Sequence, residues 1–399
     1  MSSLTDFIVI RGHGSISALG HDSSTIFESY RKAEPKFQIQ KGTALGVLQN
    51  DSSLLLDKLV LENKAYRGLD RSVLMAIYAS RKAIADARWG NEADLGINIG
   101  SSRGATGLFE QYIQEFLYRG TVPPNTSPVT TLGNVSSWVA QDLNSIGPTI
   151  SHSVTCSTGF QALANGFAWL KSGMANKFLA GATEAPLTPF TVAQMKSLGI
   201  YSDDVITPYP CRPFNNNKQN TFVLGEAAAV FALEKLGEED LNNDISKLIL
   251  LESIGFGFEA ISSKSGISKT GNHFKLAIEN ALKNTGNTLP IDMIIVHAPG
   301  TIAGDYAELS AIESVFESSN LPIITSSKWL TGHTLGASAC LSLDYAIHVL
   351  NTQSYLNFPY PVSINNSVSK KSINRILITS AGFGGNAAAI IVSNSSIID

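Results

Sequence analysis

Three side chains able to do covalent and acid–base chemistry stand in glycine-marked loops far apart in the chain. Cys156 lies in Val154-Thr155-Cys156-Ser157-Thr158-Gly159, His297 in His297-Ala298-Pro299-Gly300-Thr301, and His333 in Thr331-Gly332-His333-Thr334-Leu335-Gly336. A thiol attacks as its thiolate, and imidazole exchanges protons near neutral pH. Cys156 follows a β-type stretch, Thr149 to Val154, and precedes a helical one, Phe160 to Lys171. This predicts a place in the first turn of a helix, where unpaired amides and the helix dipole favour thiolate. A lone cysteine is ordinarily inert packing. Two histidines in comparable loops point instead to one nucleophilic site assembled from three segments.

The elements that must position these loops alternate along the chain. Phe7 to Ile10 and Leu95 to Gly100 read as strands, and Arg71 to Ala87 and Gly107 to Leu117 as helices. A similar programme opens in the second half: strand Lys247 to Ile254, helix His273 to Asn284, strand Ile291 to Val296, helix Gly304 to Phe316 and strand Leu321 to Thr325. Helix Gly336 to Leu350 and strands Tyr355 to Tyr360, Ile373 to Thr379 and Ala387 to Val392 complete it. Such alternation is an α/β signature. The polar stretch Gly237 to Asn243 is the best boundary, giving a first half, 1–240, with the cysteine and a second, 241–399, with both histidines.

Composition narrows the function. The chain has 399 residues, 44% of them hydrophobic, enough for a large core. A formal net charge of −4 and a pI near 6.0 speak against nucleic acid as the main partner. Cys156, Cys211 and Cys340 form no C-x-x-C pair, so neither a disulfide framework nor a zinc site is expected, and a reducing cytoplasm fits. No signal-peptide pattern and no stretch near ~18 apolar residues is found, so neither secretion nor membrane spanning is expected. Gly12-His13-Gly14 lacks the third glycine of a dinucleotide fingerprint.

The motifs together resemble the β-ketoacyl-acyl carrier protein synthases, the elongating Cys/His/His condensing enzymes of the thiolase fold. The resemblance runs along nearly the whole chain. It is carried by the cysteine and histidine motifs, Ala180-Gly181-Ala182-Thr183-Glu184-Ala185, Cys211-Arg212-Pro213-Phe214, Phe222-Val223-Leu224-Gly225-Glu226, Ser327-Lys328 and Gly382-Phe383-Gly384-Gly385. It implies two duplicated halves in five α/β/α/β/α layers, and a homodimer or a heterodimer with a related subunit, the strand before Cys156 lying at the interface. The implied activity is decarboxylative Claisen condensation of a Cys156-bound acyl group with malonyl-acyl carrier protein. No metal or free cofactor is implied, because substrates ride on the carrier's phosphopantetheine. The resemblance makes Cys156 the nucleophile, His297 and His333 the imidazoles that stabilise the enolate, and the amides of Cys156 and Phe383 the oxyanion donors. Lys328 would orient the site electrostatically, Asp305 and Glu308 would support it, and Phe383 would gate the acyl chain. Asp305 and Glu308 are equally ordinary first-turn acids. Lys64 and Arg67 resemble a carrier-docking segment, or are a solvated charge run.

Several positions depart from the family pattern. Pro299 replaces the first threonine of the usual His-Gly-Thr-Gly-Thr, leaving Thr301 alone for the pantetheine arm. Arg103 stands where an apolar acyl-pocket residue is usual, Ser342 where a glutamate is common, and Gly225-Glu226-Ala227-Ala228-Ala229 replaces a glycine-richer motif. These changes point away from housekeeping fatty acid elongation and toward a type II polyketide or polyene system. A non-catalytic chain-length partner subunit is the alternative, against which Cys156 argues. A thiolase would carry a second C-terminal catalytic cysteine. The remaining histidines, His13, His21, His152, His273 and His348, have no supporting motif.

Overall fold

The structure is a computed structural model, and it describes residues 6–90, 94–132, 134–237, 248–262, 268, 270–316, 321–364 and 372–395. Ten strands form one mixed sheet. In chain order they are β1 (Phe7–Ser17), β2 (Gly96–Gly100), β3 (Thr149–Ile150), β4 (Lys177–Glu184), β5 (Ala227–Leu236), β6 (Ile249–Phe258), β7 (Met293–Ile295), β8 (Ile323–Thr325), β9 (Arg375–Gly382) and β10 (Asn386–Asn394). Six helices matter here: α1 (Arg71–Asp86), α2 (Asn134–Leu143), α3 (Thr158–Ser172), α4 (Asn272–Asn284), α5 (Ile302–Val315) and α6 (Ser338–Thr352).

The strand order is β8-β7-β9-β10-β6-β1-β5-β4-β2-β3. Read outward from the centre, each half has the same sequence of neighbours: first, fifth, fourth, second and third strand. The directions match too. The two inner pairings of each half are antiparallel and the two outer ones parallel. The halves join along a short antiparallel seam, Val9 opposite Leu250 and Ile10 opposite Ile249.

Helices complete five layers. α1 and α2 cover one outer face, α4 and α5 the other, and α3 and α6 lie between the two halves of the sheet. Strands covered on both faces read as near-continuous apolar runs. Accordingly Ala227 to Leu233 of β5 and Ala387 to Asn394 of β10 are buried at every position. α6 is buried from Ser338 to Leu350. Helix and strand approach closely where glycine omits a side chain. A Cβ on Gly14 of β1 would lie 2.3 Å from the Ala79 carbonyl of α1, and one on Gly257 of β6 would lie 2.0 Å from the His273 carbonyl of α4. The same device thus seats the corresponding helix in each half.

The expected elements are found with two differences. Tyr355 to Tyr360 is not a strand: Leu356 bonds through its main chain to the Tyr345 and Thr325 side chains, and Pro359 and Pro361 have no N–H for a ladder. The stretch before Cys156 is strand only at Thr149–Ile150. The boundary between 240 and 241, and Lys247 as a strand start, lie outside the described residues.

Candidate active site

The reactive side chains follow the carboxyl ends of strands, where ligands bind in open α/β sheets. Cys156 follows β3, His297 follows β7, Lys328 and His333 follow β8, and Phe383 follows β9. α3 and α6 carry Cys156 and His333 just ahead of their first turns, and their starts meet. A Cβ on Gly159 of α3 would lie 2.5 Å from the Cys340 Sγ of α6. Glycine at that crossing lets the two halves bring their loops together.

Cys156 sits on a tight elbow. Thr155 before it has φ +50°, a left-handed conformation costly for a β-branched residue. Thr158 holds the bend: its Oγ1 donates to the Thr155 carbonyl at 2.5 Å and accepts from the Val154 amide at 2.9 Å. The Phe383 loop lies against this elbow. A Cβ on Gly382 would come within 3.0 Å of the Cys156 amide nitrogen, so the two backbones nearly touch. Asn386 tethers the loop, accepting from Ser157 Oγ at 2.6 Å and donating to the Phe383 carbonyl at 3.0 Å.

The histidine loops are fixed by buried acids. Glu308 accepts from the amides of His297 at 2.8 Å and Ala298 at 2.6 Å, and from the Thr379 hydroxyl. Asp305 accepts from the amides of Gly300 and Thr301, both at 3.1 Å, and of Phe214 at 2.8 Å. Satisfied in this way, neither carboxylate is a merely solvated helix-start acid. Lys328 Nζ donates to the Val296 carbonyl at 3.1 Å. His333 Nδ1 accepts from the Leu335 amide at 2.9 Å, which puts the ring proton on Nε2. The His297 and His333 rings meet edge to face with centroids 5.1 Å apart.

The electrostatics follow from burial. It pushes His333 down to about 3, helped by the Lys328 charge. His297 is held well below the ordinary imidazole range by burial, His333 and Lys328. Both rings are therefore neutral at pH 7. Burial lowers Lys328 to about 8 against the pull of Glu308, and raises Asp305 to about 7. The expected lowering of Cys156 is not found. Burial pushes its thiol up to about 12, Glu184 adds to the rise, and Lys328 opposes it. The reason is positional: Cys156 lies two residues ahead of the helix and is buried beside an acid.

One cavity of about 260 Å³ joins Cys156, His297, Thr301, His333 and Phe383. Arg103 is not among its walls; its Nη2 donates to Gln194 at 2.7 Å, next to cavity-lining Met195. Lys64 and Arg67 are also absent from it, exposed on a turn that Tyr66 anchors against Trp138 of α2. Sequence reasoning missed Glu184, which accepts from the amides of Ser102 and Gly336. It also missed His273 and Phe274, which line the cavity from the start of α4. No motif marked them, because neighbouring strands and loops, rather than spacing, turn them inward. Among the described residues, no group of three or more His, Cys, Asp or Glu is placed to hold a metal ion, and no helix is long and apolar enough to cross a membrane.

Comparison with known proteins identifies the family. The beta-ketoacyl synthase family matches through its N-terminal domain over residues 9–239 and its C-terminal domain over 250–358. The chain belongs to that family, and so to the condensing enzymes of acyltransferase type. A 3-oxoacyl-[acyl-carrier-protein] synthase 2 of Staphylococcus aureus is 26% identical over 96% of this chain and 97% of its own. Among solved structures, the ishigamide ketosynthase/chain length factor shares the fold with a TM-score of 0.81 at 20% identity, over 97% of this chain and 98% of that one. A type II polyketide acyl-carrier protein complex with its ketosynthase bound to the hexaketide gives 0.84 at 19% identity, over 97% and 99%.

Proposed function

We propose that the protein catalyses decarboxylative Claisen condensation between a Cys156-bound acyl group and a malonyl thioester carried by acyl carrier protein. Cys156 Sγ attacks the incoming acyl thioester; its proton passes to a neutral imidazole and on to the departing pantetheine sulfur, which leaves as free thiol. The amides of Cys156 and Phe383 stabilise the tetrahedral oxyanion, a role favoured by the close backbone approach at Gly382. Malonyl thioester then loses carbon dioxide, and the enolate oxygen accepts hydrogen bonds from His297 and His333. The enolate carbon attacks the Cys156 thioester, forming the carbon–carbon bond and releasing the cysteine. Lys328 adds its charge to the burial that keeps both imidazoles neutral, Asp305 and Glu308 hold the His297 loop, and Thr301 faces the pantetheine arm. No metal or free cofactor enters these steps.

The observation that carries this reading is the pair of neutral imidazoles, 5.1 Å apart, in one cavity with a cysteine nucleophile. Intact-protein mass spectrometry after incubation with acyl carriers of varied length tests it. Wild type gains the acyl mass and Cys156→Ala does not; absence of loading at every chain length would overturn the reading.

The pathway we propose is specialised type II polyketide or polyene synthesis, on the departures at Pro299, Arg103 and Ser342. Assembly is as a dimer, homomeric or with a ketosynthase-like subunit. Edge strand β3 and the exposed Phe109, Phe116 and Leu117 of helix Thr106–Arg119 offer the face for it. The two halves, divided near residue 240, would act as one enzyme. Three free cysteines suit a reducing cytoplasm. Lys64 and Arg67 would meet the acidic carrier outside the cavity.

A further inference from the structure

One polar side chain on the cavity wall has no part in the condensation. His273, 3% exposed, is the second residue of α4. Its Nδ1 and its backbone amide both lie 3.3 Å from Glu259 Oε2. Burial pushes the Glu259 carboxyl up, but bonds from Ser268 and His273 more than offset that and keep it ionised at neutral pH. An ionised carboxylate only accepts, so the ring proton sits on Nδ1 and Nε2 keeps its lone pair. Burial also holds His273 below the ordinary imidazole range despite Glu259. The cavity wall therefore carries a neutral, oriented hydrogen-bond acceptor.

Its surroundings say what would use it. The His273 ring packs on Phe274 at 4.7 Å, and Phe274 stands 6.2 Å from His297, so the acceptor belongs to the wall that holds the catalytic imidazole. On the same wall Thr301 is 4% exposed and its Oγ1 is buried without a partner. Pro299 beside it has neither hydroxyl nor N–H to offer. Ser197 and Ser268 also line the cavity, but Ser197 donates to the Ala193 carbonyl and Ser268 accepts from the Thr270 and Gly271 amides, while Met195, Ile200 and Leu335 are apolar. A wall with one unpartnered hydroxyl and one fixed acceptor suits an extended chain of secondary amides, each with a carbonyl and an N–H that cost free energy if buried unpaired.

We infer that His273, oriented by Glu259, accepts a hydrogen bond from an amide N–H of the carrier's phosphopantetheine arm, a contact that Pro299 cannot make. This rests on the carrier-dependent condensation proposed above. The test is steady-state condensation by His273→Phe and His273→Gln with malonyl carrier protein, beside Cys156 loading from an acyl thioester of propanethiol, which has no amide. His273→Phe keeps a ring but no acceptor, and its KM for malonyl carrier protein rises about tenfold with kcat little changed. His273→Gln restores an acceptor and recovers most of that loss, and propanethiol thioesters load all three proteins alike. A wild-type KM in His273→Phe, or equal losses on the carrier and propanethiol substrates, overturns the inference. Failure of wild type to load from any thioester sinks the condensation reading itself, which keeps the two failures apart.

Discussion

The two halves share a strand order and a helix order, yet they contribute opposite kinds of chemistry. In each, the helix lying between the halves of the sheet starts beside a non-glycine residue of positive φ, Thr155 at +50° and Leu335 at +46°. The first bend presents Cys156 and the second presents His333. Strain of this kind costs about 1–3 kcal/mol and persists only where the surroundings enforce it. A duplicated architecture thus supplies two matching elbows, and what each carries is decided by its neighbours. At the first, burial raises the thiol and Glu184 adds to the rise; at the second, burial lowers the imidazole and Lys328 adds to the fall. The halves resemble one another in backbone and share buried charges at their meeting point: Glu184 accepts from the Gly336 amide of the second elbow while adding to the rise of the thiol on the first.

Damage at the two elbows stops different steps. Cys156→Ala abolishes acyl loading and all condensation, measured by mass and by product. His333→Ala keeps loading but lowers decarboxylation of malonyl carrier protein about 10²–10³-fold, the scale of a lost oxyanion donor. Equal loss of loading in both variants would break the comparison. Glu308→Ala comes next. It strips the His297 and Ala298 amides of their buried acceptor, and lowers stability by about 2–4 kcal/mol in urea unfolding. An unchanged midpoint would remove Glu308 from its supporting place in the second half.

Much of this was legible in the sequence because chemistry constrains residue type where packing constrains only volume. The α/β alternation, Cys156, His297, His333 and the glycines of the Phe383 loop could be read directly. The state of the thiol could not. Helix position predicts a low pKa, but burial and Glu184, nearly thirty residues away in sequence, set it in the other direction. Tyr355 to Tyr360 has strand-forming residues, yet its backbone groups are met by side chains instead of a neighbouring strand. His273 was unreadable for a related reason. Gly257 lets α4 settle onto β6, and that contact turns an ordinary helix-start histidine into a wall of the cavity.

The finest probe of the difference between the halves is Glu184→Gln. Burial raises the Glu184 carboxyl from 4.5 to about 7. The unfolded chain loses this proton near pH 4.5 while the folded one retains it, so its contribution to stability is complete below that pH and declines as pH rises toward about 7. The Gln variant has no proton to lose, so its stability curve is flatter over that window. Its second effect is on the cysteine. Ionised Glu184 raises Cys156, so neutral Gln shifts alkylation of Cys156 by iodoacetamide to lower pH. The Ser102 and Gly336 amides keep a carbonyl acceptor in the variant, and the elbow itself is undisturbed. An alkylation profile identical to wild type would mean that burial alone sets the thiol, and that the Glu184 charge does not reach Cys156.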